Sequence, residues 1–454
     1  MIIDKNKFIK SYNRIIGSKK SESSDIIFSY TSEFESEHFE RLLDIDNNLF
    51  TNLTMWIRKS KKNKYLSLGA IQEYLLKNEN KSQLNSRIES LAKNAISMNY
   101  TNQKNIPMFI GGQNFNINNN NTALWKDIPI VKYWIPEVLL MIDEGAITIT
   151  HFFKIKTNVE KIIDSIEYNH NYLIEKIKLD PKKEDKRIAL KSKKILTDKN
   201  IFKDKIETIK SYINDSKVSK VVISNILSYE INKIPSYANL LLKMSIDYPD
   251  CAIFYYSFNN KRTFLGASPE KILSKEYNTI TIDALAGSAS MEDQDFLLNN
   301  KKINDEHSFV TDGIVESLQS MDFDCKLSKR SILKLKNIAH LKTIITSKID
   351  SNKNPLNILD AIIPTPALSG YPKESSMKVI NNIEEHERGW YAGPIGWINS
   401  NMDCKFFAGL RSAYIRNNKI YFYAGAGIVI NSNSDEEWDE IINKINSIAN
   451  IIDG

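Results

Sequence analysis

The sequence predicts an α+β fold in which antiparallel hairpins dominate. Three observations predict it. Apolar runs of strand length dominate, and they meet at short polar turns such as Asp143-Glu144-Gly145 and Arg416-Asn417-Asn418-Lys419. Helical spacing occurs in scattered stretches, without the regular strand–helix alternation of a parallel sheet. No repeat of fixed period is present. The chain has 454 residues, 42% of them hydrophobic, enough for a sizeable core in two or three average domains or one large one; a single large two-lobed domain is expected. The N-terminal lobe is expected over 1–180 and a second region, denser in motifs, over 200–454.

In chain order, 25–30 and 53–58 read as strands, with 65–70 the partner of the latter. Leu84, Ile88, Leu91 and Ile96 give helical spacing over 82–97. Residues 107–112 form a strand ending on a glycine pair, 118–121 a loop tip, and 134–142 with 146–153 a hairpin. A helix over 158–178 leads to the charged stretch KKEDKR at 182–187, expected to be a surface connection between the lobes. Then come a helix at 206–216, a β-rich run at 218–229 and a helix at 235–248 with a proline at its start. Short strands follow at 252–257, 262–267, 271–274 and 279–284, and one long helix is expected over 293–320. Residues 343–349 are a strand, 357–362 and 376–385 helices around an irregular Pro/Gly stretch, and 390–399 a strand. The runs FFAGLRSAYI and KIYFYAGAGIVI form a final hairpin before the last helix.

Composition excludes several function classes. The net charge of +6 is spread over dispersed lysines, which fits a solvated surface and not a nucleic-acid groove. Cys251, Cys325 and Cys404 lack metal-ligand spacing and suit buried thiols in a reducing compartment. The start, MIIDKNKFIK, has no apolar signal core, and no run approaches a membrane span, so a cytoplasmic protein is expected.

Some residues could carry chemistry. Glu437, Glu440 and Lys444 fall on one helical face. Glu306, Glu384, Glu437 and Glu440 are the acids that could serve a hard cation such as Mg²⁺, although a solvated helix face suits the Glu437/Glu440 pattern. Lys220, inside VSKVVIS, either snorkels to solvent or is a desolvated base. Glu270 follows the turn Gly-Ala-Ser-Pro and is either a surface acid or a catalytic one. His307 and His340 are more often satisfied polar groups than ligands. Gly425 and Gly427 permit close approach of backbone to a ligand.

Taken in order, SKVVIS (219–224), FLGASPEKIL (264–273), DALAGSAS (283–290), NDEHSFVTDGI (304–314), AHLKT (339–343), PTPALSGYP (364–372), ERGWYAGPIGW (387–397), FAGLRSA (407–413) and AGAGIVINSNSDEEWDEIINK (424–444) resemble the chorismate-utilising enzymes. FIGGQNF (109–115) and WIPE (134–137) are looser matches. The family includes isochorismate synthases of menaquinone and siderophore pathways, salicylate synthases, and the large subunits of anthranilate and aminodeoxychorismate synthases. The resemblance implies the family's fold, large antiparallel sheets forming a core sandwich with helices packed outside. It also implies 200–454 as the chorismate-binding catalytic region, a monomer, chorismate as substrate and Mg²⁺ as cofactor, and neither nucleic-acid nor membrane partners.

The resemblance also assigns roles. Lys220 matches the base that activates water, and Glu270 the acid that protonates the departing C4 hydroxyl. These two need opposite protonation states, which burial must arrange. Glu306 and Glu440 match direct Mg²⁺ ligands, with Glu437 acting through water. Arg411 matches the clamp on a substrate carboxylate. Gly425 and Gly427 match a loop whose N–H groups meet a carboxylate. Tyr391, Lys444 and His340 match further substrate-site positions. Ala286 and Gly287 in DALAGSAS, and Thr365, Ala367, Leu368 and Ser369 in PTPALSG, are placed at the same pocket. Ile303 departs from relatives that carry an acid one turn before Glu306. Lys220 favours water as nucleophile, hence isochorismate as product. The alternatives are a salicylate synthase, which also eliminates pyruvate, and an aminating relative.

Overall fold

The computed structural model describes residues 4–18, 26–35, 39–42, 52–61, 63–76, 80–118, 124–143, 145–155, 157–178, 190–232, 237–259, 262–289, 294–334, 339–350 and 353–453. Parts of the expected 118–121 tip, all of the 182–187 connection and the proline at 235 lie outside the described residues.

The described strands form a 13-stranded and a 10-stranded sheet, paired almost throughout in antiparallel fashion. Ile27–Glu33 with Ile96–Asn99 is a parallel pair. The sheets face each other across aromatic side chains. Trp56 packs on Phe407 (centroids 5.7 Å apart) and Trp134 on Tyr256 (5.9 Å), each pair joining one ring from each sheet. Such rings bury large apolar areas and supply much of the driving force for the sandwich. Both sheets combine strands from the two ends of the chain: Ala252–Asn259 pairs with Leu53–Arg58, and Pro394–Asn399 with Pro107–Gln113. Helices cover the outer faces, among them Lys301–Gln319 against Thr279–Ala289 and Ser434–Asp453 against Lys419–Ile428.

Four expectations change. The apolar run 134–142 is not one strand. Val131–Ile135 lies in the smaller sheet and Val138–Asp143 in the larger, because Pro136 cannot donate to a ladder and the chain changes sheet there. The run 406–415 divides in the same way. Cys404–Ala408 belongs to the smaller sheet and Ser412–Arg416 to the larger, and the crossing runs through Arg411 at φ 46°. The final hairpin therefore consists of Ser412–Arg416 and Lys419–Ile428 alone. The long helix expected over 293–320 is two, Gln294–Asn299 and Lys301–Gln319, because Asn300 caps the second by accepting from Ile303 N at 3.1 Å. The strand expected at 390–399 starts only at Pro394. An additional helix, Lys5–Ser18, had no counterpart in the sequence reading; its Phe8 and Tyr12 pack on Phe28.

Candidate active site

A cavity of about 440 Å³ opens where the Lys220–Ile231 and Lys419–Ile428 strands meet the helices Lys301–Gln319 and Ser434–Asp453. Its wall gathers Lys220, Glu270, Glu306, Glu437 and Glu440, residues separated by up to 220 positions in the chain. Ala286, Gly287, His340, Ala367, Leu368 and Tyr391 line it too. So do Arg411, Gly425, Gly427 and Lys444. Thr365 and Ser369 stand behind the wall. The Thr365 hydroxyl donates to Glu270 Oε1 at 3.4 Å, and Ser369 Oγ donates to the Thr365 carbonyl at 3.0 Å.

Lys220 begins its strand and is 1% exposed. Its Nζ lies 3.0 Å from Glu306 Oε1. Snorkelling to solvent, one of the two readings open from sequence, is thereby excluded. Directly across the sheet, Gly427 pairs with Val222 and Gly425 with Ser224. The two glycines are thus strand residues, not a loop. Their function is to leave room: a Cβ on Gly427 would sit 2.7 Å from Glu306 Oε1 and 2.8 Å from Lys220 Cε. On Gly425 it would sit 3.1 Å from the Tyr391 hydroxyl.

Glu270 is buried at the strand end created by the Pro269 turn. Burial pushes its carboxyl up to about 8, against the opposing pull of Lys220 and Thr365. It is therefore a neutral acid near pH 7. His340 is held neutral by burial and by the charges of Arg411 and Lys444, which lower it to about 3. Its Nδ1 lies 2.9 Å from Ser288 Oγ and 3.3 Å from the Gly287 carbonyl. His307, by contrast, is bonded to Thr343 and does not line the cavity. Arg411 donates through Nη1 to Ser447 Oγ at 3.2 Å, while its buried Nη2 has no hydrogen-bond partner. An unsatisfied guanidinium nitrogen on a cavity wall is costly, and an anionic ligand would satisfy it.

The three acids assigned to a cation sit on two helices and share the cavity. Burial and the neighbouring Glu440 charge raise Glu437 to about 7. Burial also acts on Glu440, but Lys444, 2.6 Å away, brings that carboxyl below its usual value. Among the described residues no group of three or more His, Cys, Asp or Glu converges to hold a metal unaided. Hard carboxylate oxygens on a polar cavity fit Mg²⁺ all the same, because that ion takes one or two protein carboxylates and fills its shell with water and substrate oxygens.

Ile303, the departure from the family pattern, packs against Gly287, where φ is 74° and a Cβ would lie 2.5 Å from Ile303 Cγ2. An apolar contact therefore occupies the position one turn before Glu306.

Among the charged residues lining the cavity, Lys302, Arg388 and Glu436 were not singled out from the sequence. Lys302 sits four residues before Glu306, on the same helical face, and that spacing was a usable signal. Arg388 lies four residues after Glu384, and the pair forms a buried fork at 2.6 and 2.8 Å. Arg388 also donates to the Val222 and Leu368 carbonyls, while Glu384 accepts from Ser224 N at 2.6 Å. These side chains occupy the edge of the Lys220 strand between its pairings with Leu190–Ile195 and Gly370–Tyr371, substituting for a missing neighbour. Glu384 thus has a structural place and does not line the main cavity.

The family profile described as "Chorismate binding enzyme" matches residues 10–453. The chain belongs to that family. Among curated members of the chorismate-binding enzymes it is 31% identical over 240 residues to isochorismate synthase MenF of Haemophilus influenzae, a match covering 51% of this chain and 56% of that protein. It is 27% identical over 359 residues to isochorismate synthase MenF of Bacillus subtilis, covering 77% and 75%. The match thus spans little more than half the length of the first relative and three quarters of the second. Among solved structures, MenF, the menaquinone-specific isochorismate synthase from Escherichia coli, superposes with a TM-score of 0.77 at 20% identity, covering 98% of this chain and 99% of that one. Anthranilate synthase component I from Streptococcus pneumoniae gives 0.72 at 20% identity, covering 85% and 92%. The α+β sandwich is the family fold.

Proposed function

We propose that the protein is a Mg²⁺-dependent isochorismate synthase that converts chorismate into isochorismate. The observation that carries the reading is the pairing in one cavity of buried Lys220 with a Glu270 held neutral near pH 7. Isochorismate synthases among the relatives support the product, and the family supports chorismate as substrate.

In this reading Lys220 reacts as the neutral amine, having given up the proton of its resting ion pair with Glu306; it takes a proton from water, and the water oxygen bonds to C2 of the ring. The ring double bonds shift, and the C4–O bond breaks as Glu270 gives its proton to the leaving hydroxyl. One water enters and one leaves, so the net change is transposition of the hydroxyl. Arg411 Nη2 pairs with one substrate carboxylate and fixes the ring. Glu306 and Glu440 would hold Mg²⁺ directly and Glu437 through water; the ion would neutralise the other carboxylate. Tyr391 and the flat surface left by Gly425 and Gly427 shape the cavity floor. We place the enzyme in the cytoplasm as a monomer. Its cysteines are free, and among the described residues no helix is long and apolar enough to cross a membrane.

The test is product analysis by chromatography after incubation with chorismate and Mg²⁺. Isochorismate alone is expected. Salicylate with pyruvate would assign the enzyme as a salicylate synthase, and an aminated product appearing with ammonium would assign it to the aminating branch.

A further inference from the structure

Every acid assigned to the cation carries a lysine. Lys220 Nζ is 3.0 Å from Glu306, Lys302 Nζ 3.2 Å from Glu437 and Lys444 Nζ 2.6 Å from Glu440. All of these residues line the one cavity. An ammonium and a divalent cation compete for the same carboxylate oxygens, so a cation entering alone must expel ammonium groups it cannot compensate. The lysines differ in their freedom to leave. Lys220 is closed in beneath Gly427. Lys444 is also tied to the Gly425 carbonyl at 2.9 Å. Lys302 has a side chain 30% exposed and reaches Glu437 from the facing helix.

We propose that Lys302 is a positioning residue that occupies the cation's place at Glu437 and moves to a carboxylate of the incoming dianionic substrate, so that substrate and divalent cation bind cooperatively. The inference rests on the Mg²⁺-dependent reading above and adds to it how the two ligands are coupled. A bound dianion offers the displaced ammonium a new partner, and Glu437 is released to serve the cation. Coupling of this kind is reciprocal: the cation must tighten the dianion by the same factor that the dianion tightens the cation.

The experiment titrates Mn²⁺, followed by electron paramagnetic resonance, into the full-length protein with and without 3-(carboxymethoxy)benzoate, a non-reacting aromatic dianion. In the wild type, the dianion is expected to tighten Mn²⁺ by about 10-fold, within the usual range of coupling between sites. Lys302→Met should bind Mn²⁺ alone about 10-fold more tightly than wild type and lose most of the coupling. Lys302→Arg, which keeps the charge, should retain it. A Lys302→Met protein with wild-type affinity and wild-type coupling overturns the role of Lys302 and leaves the Mg²⁺ reading intact. A wild type that binds no Mn²⁺ even with the dianion overturns both. Lys302 is partly exposed, so the substitution does not put folding at stake, and the readout is metal affinity rather than turnover.

Discussion

Lys220 Nζ lies 3.0 Å from Glu306 Oε1, so the residue proposed as base and a residue proposed as cation ligand form one ion pair. Gly427 makes that approach possible, since a side chain there would overlap both partners. The proposed base and the proposed cation ligand therefore share one assembly of a strand, a helix and the facing strand.

Replacing Lys220 by Ala should lower kcat by about 10³-fold, within the range of general-base effects, while chorismate still binds within a few-fold of wild type. Quenched-flow turnover together with equilibrium binding separates the two quantities. Near-normal turnover would remove Lys220 from the reaction.

Glu270 predicts opposite responses of stability and activity. Its carboxyl is raised to about 8 by burial, while in the unfolded chain it titrates near an ordinary glutamate. Below the unfolded value both states are protonated and no penalty arises. As pH rises towards 8 the unfolded chain gains stability by ionising and the folded one does not. Stability is then lost at about 1.4 kcal/mol per pH unit. Glu270→Gln should therefore abolish turnover yet unfold at higher temperature than wild type at pH 7.5, with the two converging near pH 4. Calorimetry at both pH values measures this. For the wild type, kcat/KM should fall above about pH 8 as the acid ionises.

Glu440→Gln replaces one carboxylate oxygen by an amide nitrogen and deprives Lys444 of its anionic partner, leaving it the Gly425 carbonyl. The Mg²⁺ concentration for half-maximal activity should rise by about 10-fold or more, and excess Mg²⁺ should rescue turnover poorly. An unchanged Mg²⁺ titration would exclude Glu440 as a ligand.

Local pattern carried much of the fold. Leu53–Arg58 and its partner strand were legible because apolar residues fill a run bounded by polar turns. The changes of sheet at Pro136 and at Arg411 were passed over: the missing N–H of proline was a usable signal at the first, whereas at the second the segments on both sides are buried and share one periodicity. The break at Asn300 was hidden for a related reason: helical spacing continues through a cap. Lys5–Ser18 was missed although Phe8, Tyr12, Ile15 and Ile16 recur at helical spacing; Phe8 and Tyr12 pack on Phe28. At the site, motif resemblance pointed to Lys220, Glu270 and the acids Glu306, Glu437 and Glu440, and the structure brings these to one cavity. Of the partners, Lys444–Glu440 follows from i, i+4 spacing, whereas Lys220–Glu306 and Lys302–Glu437 depend on how a strand and two helices face each other. The resemblance misread Gly425 and Gly427 as a loop, since glycine marks close approach without saying whether a strand or a turn makes it.

Arg388→Ala would leave Glu384 buried and charged, with Arg388 no longer overriding the burial that pushes that carboxyl up. The Val222 and Leu368 carbonyls would lose a donor as well. The expected loss is about 3–5 kcal/mol, typical when one member of a buried pair is removed. Adding Glu384→Gln should recover part of it, because the stranded charge is gone. Denaturant unfolding of the single and double variants tests this, and a single variant as stable as wild type would contradict the bridging role.

Gly427→Ala tests the shared unit most directly. The new methyl would fall 2.7 Å from Glu306 Oε1 and 2.8 Å from Lys220 Cε, too close for either to keep its place. Both atoms belong to side chains, so the strand pairing of Gly427 with Val222 can survive while the two ends move apart. Folding stability should change by about 1–3 kcal/mol, the usual cost of overpacking. Turnover should fall by about 10²-fold, because a displacement of roughly 1 Å of a reacting group has that effect. The Mg²⁺ requirement should rise in the same variant, since Glu306 moves together with Lys220. Steady-state kinetics over a Mg²⁺ series reads both effects at once, and a loss of turnover without any change in the Mg²⁺ requirement would separate the base from the cation site.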